Sequence, residues 1–94
     1  MGMKQKIMIV DDAEINRQIL MAILGDKYEY VQAENGCQAV HMLQHDLTID
    51  LILLDINMPE MNGFQMLERM NKFHWIDEIP VIMISSEEKR DIIE

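Results

Sequence analysis

Two adjacent carboxylates, Asp11 and Asp12, close the apolar run Ile7-Met-Ile-Val10, and a third, Asp55, closes the run Leu51-Ile-Leu-Leu54. If the two runs lie side by side, three like charges meet at their ends and need compensation. A small divalent cation would supply it. Magnesium takes oxygen ligands, keeps several waters, and is held by one or two carboxylates together with phosphate oxygens. The competing reading is structural: an acid after a strand often caps the next helix, and Asp12 is placed to do so. Ser85 carries a similar ambiguity, because Ser85 and Glu88 have the spacing of a capping box and Ser86 could cap equally well.

The runs that carry these acids are strand-sized and wholly apolar, the pattern of strands buried on both faces. Between them, from Glu14 onward, Ile15, Ile19, Ala22 and Ile23 recur at helical spacing, with Gly25 as a stop. Tyr28 to Ala33 mixes aromatic and β-branched residues and reads as a strand, followed by an Asn35-Gly36 turn signal. A second helix sets Ala39, Val40 and Leu43 on one side and Gln38, His41 and Gln44 on the other. Past Asp55, Met58-Pro59 and Asn62-Gly63 mark turns, and Phe64, Leu67 and Met70 mark a third helix up to about Trp75. Pro80 opens a further buried strand, Val81-Ile-Met-Ile84, and a fourth helix starts at Ser85-Ser-Glu-Glu88. Strands alternating with helices, without repeat or linker, predict an α/β fold of βαβ units on a mostly parallel sheet. In such sheets ligands gather at the carboxyl ends of the strands.

Composition narrows the function classes. With 94 residues, 49% apolar and 27% charged, the chain is sized for one globular domain. Eight Lys and Arg against 17 Asp and Glu leave a formal charge of −9, which would repel a phosphate backbone, so direct nucleic-acid binding is not expected. The longest apolar runs are far too short to cross a bilayer. A lone cysteine, Cys37, allows no internal disulfide, and no export signal opens the chain, which makes the cytoplasm the expected compartment.

Taken together, Ile7-Met-Ile-Val-Asp-Asp12, Leu51-Ile-Leu-Leu-Asp-Ile-Asn-Met-Pro-Glu-Met-Asn-Gly63 and Pro80-Val-Ile-Met-Ile-Ser85 resemble the response-regulator receiver family in order and spacing. That resemblance implies a flavodoxin-like, doubly wound parallel sheet of order 2-1-3-4-5, of which this chain would supply 2-1-3-4. It implies that Asp55 is the phospho-acceptor, a carboxylate nucleophile that takes a phosphoryl group as a mixed anhydride. Asp12 and Asp55 would ligate Mg²⁺ through carboxylates, Asn57 through its backbone carbonyl, and Asp11 closely or through water. Ser85 would be the hydroxyl that turns to the new phosphoryl group, and Pro59 and Gly63 the loop leading from the acceptor into the third helix. The implied donor is a histidine kinase or phosphotransfer protein in a bacterial two-component pathway.

Against the family pattern, the sequence stops at Glu94, so residues 1–94 read as a receiver domain incomplete at its C-terminus, without the fifth strand and its lysine. Lys89 does not stand at the equivalent position. A fourth strand left as a sheet edge would invite a homodimer or strand-exchanged assembly. The alternative function is then a truncated association module that is not phosphorylated. An enzyme is not expected, because aspartate-nucleophile phosphatases show an Asp-x-Asp pair after the first strand where this chain has Asp11-Asp12. His41, His45 and His74 show no zinc-site spacing and read as solvated surface. Cys37 has no catalytic base beside it, Met8 and Met83 read as core filler, and Lys89-Arg-Asp91 reads as a solvated helix face.

Overall fold

A computed structural model of the chain describes residues 4–46, 48–56, 58, 61–74 and 78–84. Seven elements follow one another: β1 (Lys6–Val10), α1 (Glu14–Leu24), β2 (Glu29–Ala33), α2 (Gly36–His45), β3 (Leu51–Asp55), α3 (Gly63–Lys72) and β4 (Val81–Ile84). The strands form one parallel sheet in the order β2-β1-β3-β4. This is the order the receiver resemblance implies.

The apolar runs fold as buried strands because each face of the sheet has a partner layer. On one face Met8, Val10, Ile52 and Leu54 meet Ala39, Val40 and Leu43 of α2 and Met66 and Met70 of α3. On the other, Ile7, Ile9 and Leu53 meet Leu20, Met21 and Leu24 of α1. Each fully buried side chain of this size stabilises the fold by roughly 1.5–3 kcal/mol relative to exposure, so β1 and β3 form the fixed centre of the domain. Polar ends complete the helices. Asn35 accepts from the Gln38 N–H at 2.7 Å to cap α2. Asn62 and Gln65 form a reciprocal capping box on α3, with both bonds at 2.9 Å.

Three expectations change. The stripe that marks α1 points to solvent: Ile15, Ile19 and Ile23 are 66%, 49% and 74% exposed. This helix carries apolar residues around most of its circumference, so spacing identifies the helix but not the buried side. Leu20, Met21, Leu24 and the buried Arg17 occupy that side instead. In α3, Met66 and Met70 are buried while Phe64 faces outward, and the helix ends at Lys72. In β4, Ile82 is half exposed on the outer strand of the α1 face. The expected fourth helix lies outside the described residues.

Candidate functional site

β1 and β3 are hydrogen-bonded neighbours, with Ile7 opposite Leu51 and Val10 opposite Leu54. Their carboxyl ends therefore arrive together, Asp55 as the last residue of β3 and Asp11 as the first beyond β1. The carboxylate oxygens of Asp11, Asp12 and Asp55 lie within 4.8 Å of one another. Asp11 and Asp55 are only 4% and 3% exposed, whereas Asp12 stands at the rim.

Asp11 is fixed from several directions. Its N–H donates to the Ala33 carbonyl at 3.1 Å, extending the β1–β2 pairing by one residue. Its Oδ1 accepts from the Ala13 N–H at 2.9 Å. Its carbonyl accepts from Arg17 Nη1 at 2.6 Å, and Arg17 Nε donates to Gln32 Oε1 at 2.9 Å. Burial pushes the Asp11 carboxyl above the usual carboxylate range, and the charge of Asp12 adds to this. The Ala13 N–H and the Asn16 side chain work against the rise. The capping alternative for Asp12 is not realised: the N-cap of α1 is Ala13, with no side-chain cap bond, and the turn into the helix uses Asp11.

Asp55 is held through its backbone surroundings. It pairs in register with Ile84, the Ile56 N–H donates to the Ile84 carbonyl at 3.0 Å, and the Gly63 N–H donates to the Ile56 carbonyl at 2.9 Å. Gly63 owes its identity to this closeness. A Cβ there would stand 2.7 Å from the Asp55 carbonyl oxygen and 3.0 Å from Ile56 Cα. The start of α3 thus rests directly on the backbone of Asp55. Gly36, read in the sequence as part of a turn signal, has the same kind of role, since a Cβ on it would come within 2.8 Å of Met61.

The donor set suits a hard cation. It consists of three carboxylates, two of them buried, and offers only oxygen. Opposite ligands of an octahedral magnesium stand about 4.2 Å apart. A spread of up to 4.8 Å therefore matches an ion bound partly through water. Arg17 was not visible as a site residue in the sequence, because the Ile15, Ile19 and Ile23 stripe marked the other side of α1 as the inward one. Asn57, Pro59, Ser85, Ser86, Glu88, Lys89 and Arg90, with the roles the sequence suggested for them, lie outside the described residues. Among those described, no helix is long and apolar enough to cross a membrane.

A parallel sheet with helices on both faces and acids clustered at the carboxyl ends of its two central strands is a doubly wound α/β fold, the class in which ligands gather at that edge. Within that class, the model of the response regulator receiver domain matches residues 7–94, and the chain belongs to this family. Two-component response regulator ORR3 of Oryza sativa subsp. indica is 34% identical over 82 residues, covering 86% of this chain and 63% of the rice protein. The chain thus spans a little under two thirds of that relative's length. Among solved structures, the CheX–CheY–BeF3–Mg complex from Borrelia burgdorferi aligns with a TM-score of 0.81 at 32% identity, covering 90% of this chain and 64% of that chain. The Thermotoga maritima response regulator TrrA, in complex with Mg(2+)-BeF, aligns with a TM-score of 0.78 at 29% identity, covering 87% and 70%. Receiver domains are signalling modules of two-component response regulators. Because the relatives include rice proteins, the kinship does not tie this chain to a bacterial pathway.

Proposed function

We propose that this domain accepts a phosphoryl group on Asp55, in an Mg²⁺-dependent reaction with a phosphohistidine on a sensor kinase or phosphotransfer protein. The observation that carries the reading is the meeting of Asp11, Asp12 and Asp55 within 4.8 Å at the ends of β1 and β3. Asp55 would be the nucleophile, and the fixing of its backbone by β3 and by the start of α3 supports this reading, since a held carboxylate loses less freedom on meeting a donor in line. That oxygen forms a bond to phosphorus as the bond from phosphorus to the donor's imidazole nitrogen breaks, and the freed nitrogen keeps the bonding electron pair. Asp11, Asp12, Asp55 and the Asn57 carbonyl would hold the magnesium, which when bound neutralises charge on the transferring oxygens. Ser85 would then donate its hydroxyl proton in a hydrogen bond to the new phosphoryl group.

Acetyl phosphate and Mg²⁺ followed by intact mass test the reading directly. The expected result is a phosphate-sized gain that disappears with chelator and in Asp55→Asn; an unchanged wild-type mass would sink it. The proposed homodimer rests on β4, the outer strand of the described sheet, with Ile82 half exposed on it. Sedimentation at low micromolar concentration tests this, and a well-folded monomer would count against it.

A further inference from the structure

The exposed side of α2 presents a second set of metal-type donors, away from the acidic cluster. His41 and His45 stand one turn apart, both exposed, with ring centroids 4.9 Å apart and planes at 68°. Two imidazoles that share one ion at roughly 2.0–2.1 Å have ring centres about 5 Å apart. The side chains therefore already sit at the separation that chelation needs. The four-residue interval is also the one by which a helix brings two histidines to a single zinc in the H-E-x-x-H motif. The spacing of a closed set of three or four ligands does not reveal it, because a pair on one helix face is an open site.

We propose that His41 and His45 form a chelating site for a borderline transition-metal cation such as zinc, nickel or copper(II). Imidazole nitrogen favours these ions, whereas magnesium prefers the all-oxygen cluster, so the two sites divide the metals by donor chemistry. The sites are also separated in space. His45 adjoins Asp46, whose Oδ2 accepts from Nζ of Lys6 at 3.1 Å. Lys6 opens β1, and Asp11 follows the last residue of the same strand. His45 lies in the last turn of α2, where the carbonyl end of the helix favours positive charge. The net charge of −9 works in the same direction. Two protein ligands leave the remaining coordination positions to water, as in an open site.

The test is zinc titration of the full 94-residue chain, freed of metal and then held in excess Mg²⁺ to keep the acidic cluster occupied, read by calorimetry. We expect one zinc per chain. H41Q and H45Q should each weaken binding at least about tenfold, by analogy with the loss that even outer-shell changes cause. The double variant should abolish it, while C37S leaves it intact. Unfolding midpoints give a second reading: zinc should raise that of the wild type by mass action and leave the double variant unmoved. Zinc binding of undiminished strength in a folded double variant, loss of binding in C37S, or no binding by the wild type would each overturn the proposal.

Discussion

Replacing Asp11 with Asn should stabilise the metal-free domain and weaken its response to magnesium. Asp11 and Asp55 are both buried and their oxygens lie within 4.8 Å. At that distance two unit charges repel by about 3.5 kcal/mol at an effective dielectric of about 20. Water and salt at the open rim reduce this, so a gain of roughly 2 kcal/mol in chelator is the expectation. Asn retains an oxygen to accept from the Ala13 N–H, so the turn into α1 survives the change. The pH dependence follows from the raised pKa of Asp11. Its folded form binds a proton more tightly than the unfolded chain, so the charge penalises folding above the folded pKa. As pH falls from there toward the unfolded value of 3.8, the wild type recovers and the advantage of the variant fades. Urea unfolding with chelator and with Mg²⁺ provides the assay. A hundredfold excess of metal over its Kd adds about 2.7 kcal/mol to a protein that binds only when folded, and the variant should gain clearly less than the wild type. The reasoning fails if the variant is less stable than wild type in chelator, or if magnesium stabilises both equally.

Gly63→Ala should cost roughly 1–3 kcal/mol by driving a methyl group into the Asp55 carbonyl, and should slow phosphorylation by acetyl phosphate more than Gly25→Ala, whose strain, at a φ of 89° with open space around it, falls at the end of α1. Arg17→Met should cost about 3 kcal/mol in urea unfolding, since it removes two hydrogen bonds from a buried cation, and a cost below about 1 kcal/mol would argue against its anchoring of Asp11. The Asp46 carboxyl, held down to about 2 chiefly by the Thr48 hydroxyl and then by the Thr48 N–H and Lys6, contributes stability that is present above 3.8 and lost as pH falls through about 2. The stability gap between wild type and Asp46→Asn should therefore close across that acid range in a pH series of thermal unfolding.

The sheet was legible because β1 and β3 are buried on both faces, and a short, continuous apolar run ended by an acid matches a central strand better than it matches a helix with one wet side. The order of the strands came from motif resemblance, not from periodicity. For α2, the division of Ala39, Val40 and Leu43 from Gln38, His41 and Gln44 held in full, because the helix has one apolar side. The α1 pattern misled because isoleucines lie opposite the half-buried leucines, and only the sheet decides which row faces inward. Phe64 shows the same limit in α3, where methionine fills the core and the aromatic ring does not. At the site, the three acids follow directly from strand ends. Arg17 did not, because its function is to hold a main-chain oxygen, and a backbone partner leaves no trace in side-chain motifs.

The clearances at Gly36 and Gly63 carry a mechanical consequence. One brings the start of α2 against Met61, and the other brings the start of α3 against Asp55 and Ile56. Met61 and the Asp55-Ile56 pair are thus each set against a helix start with less than a methyl group of slack. A part fitted that closely cannot shift privately. Displacement of the chain at Met61 must be taken up by α2, and displacement at Asp55 or Ile56 by α3, so the tolerance of these two joints, more than the stiffness of either helix, sets how a change at Asp55 spreads through the domain.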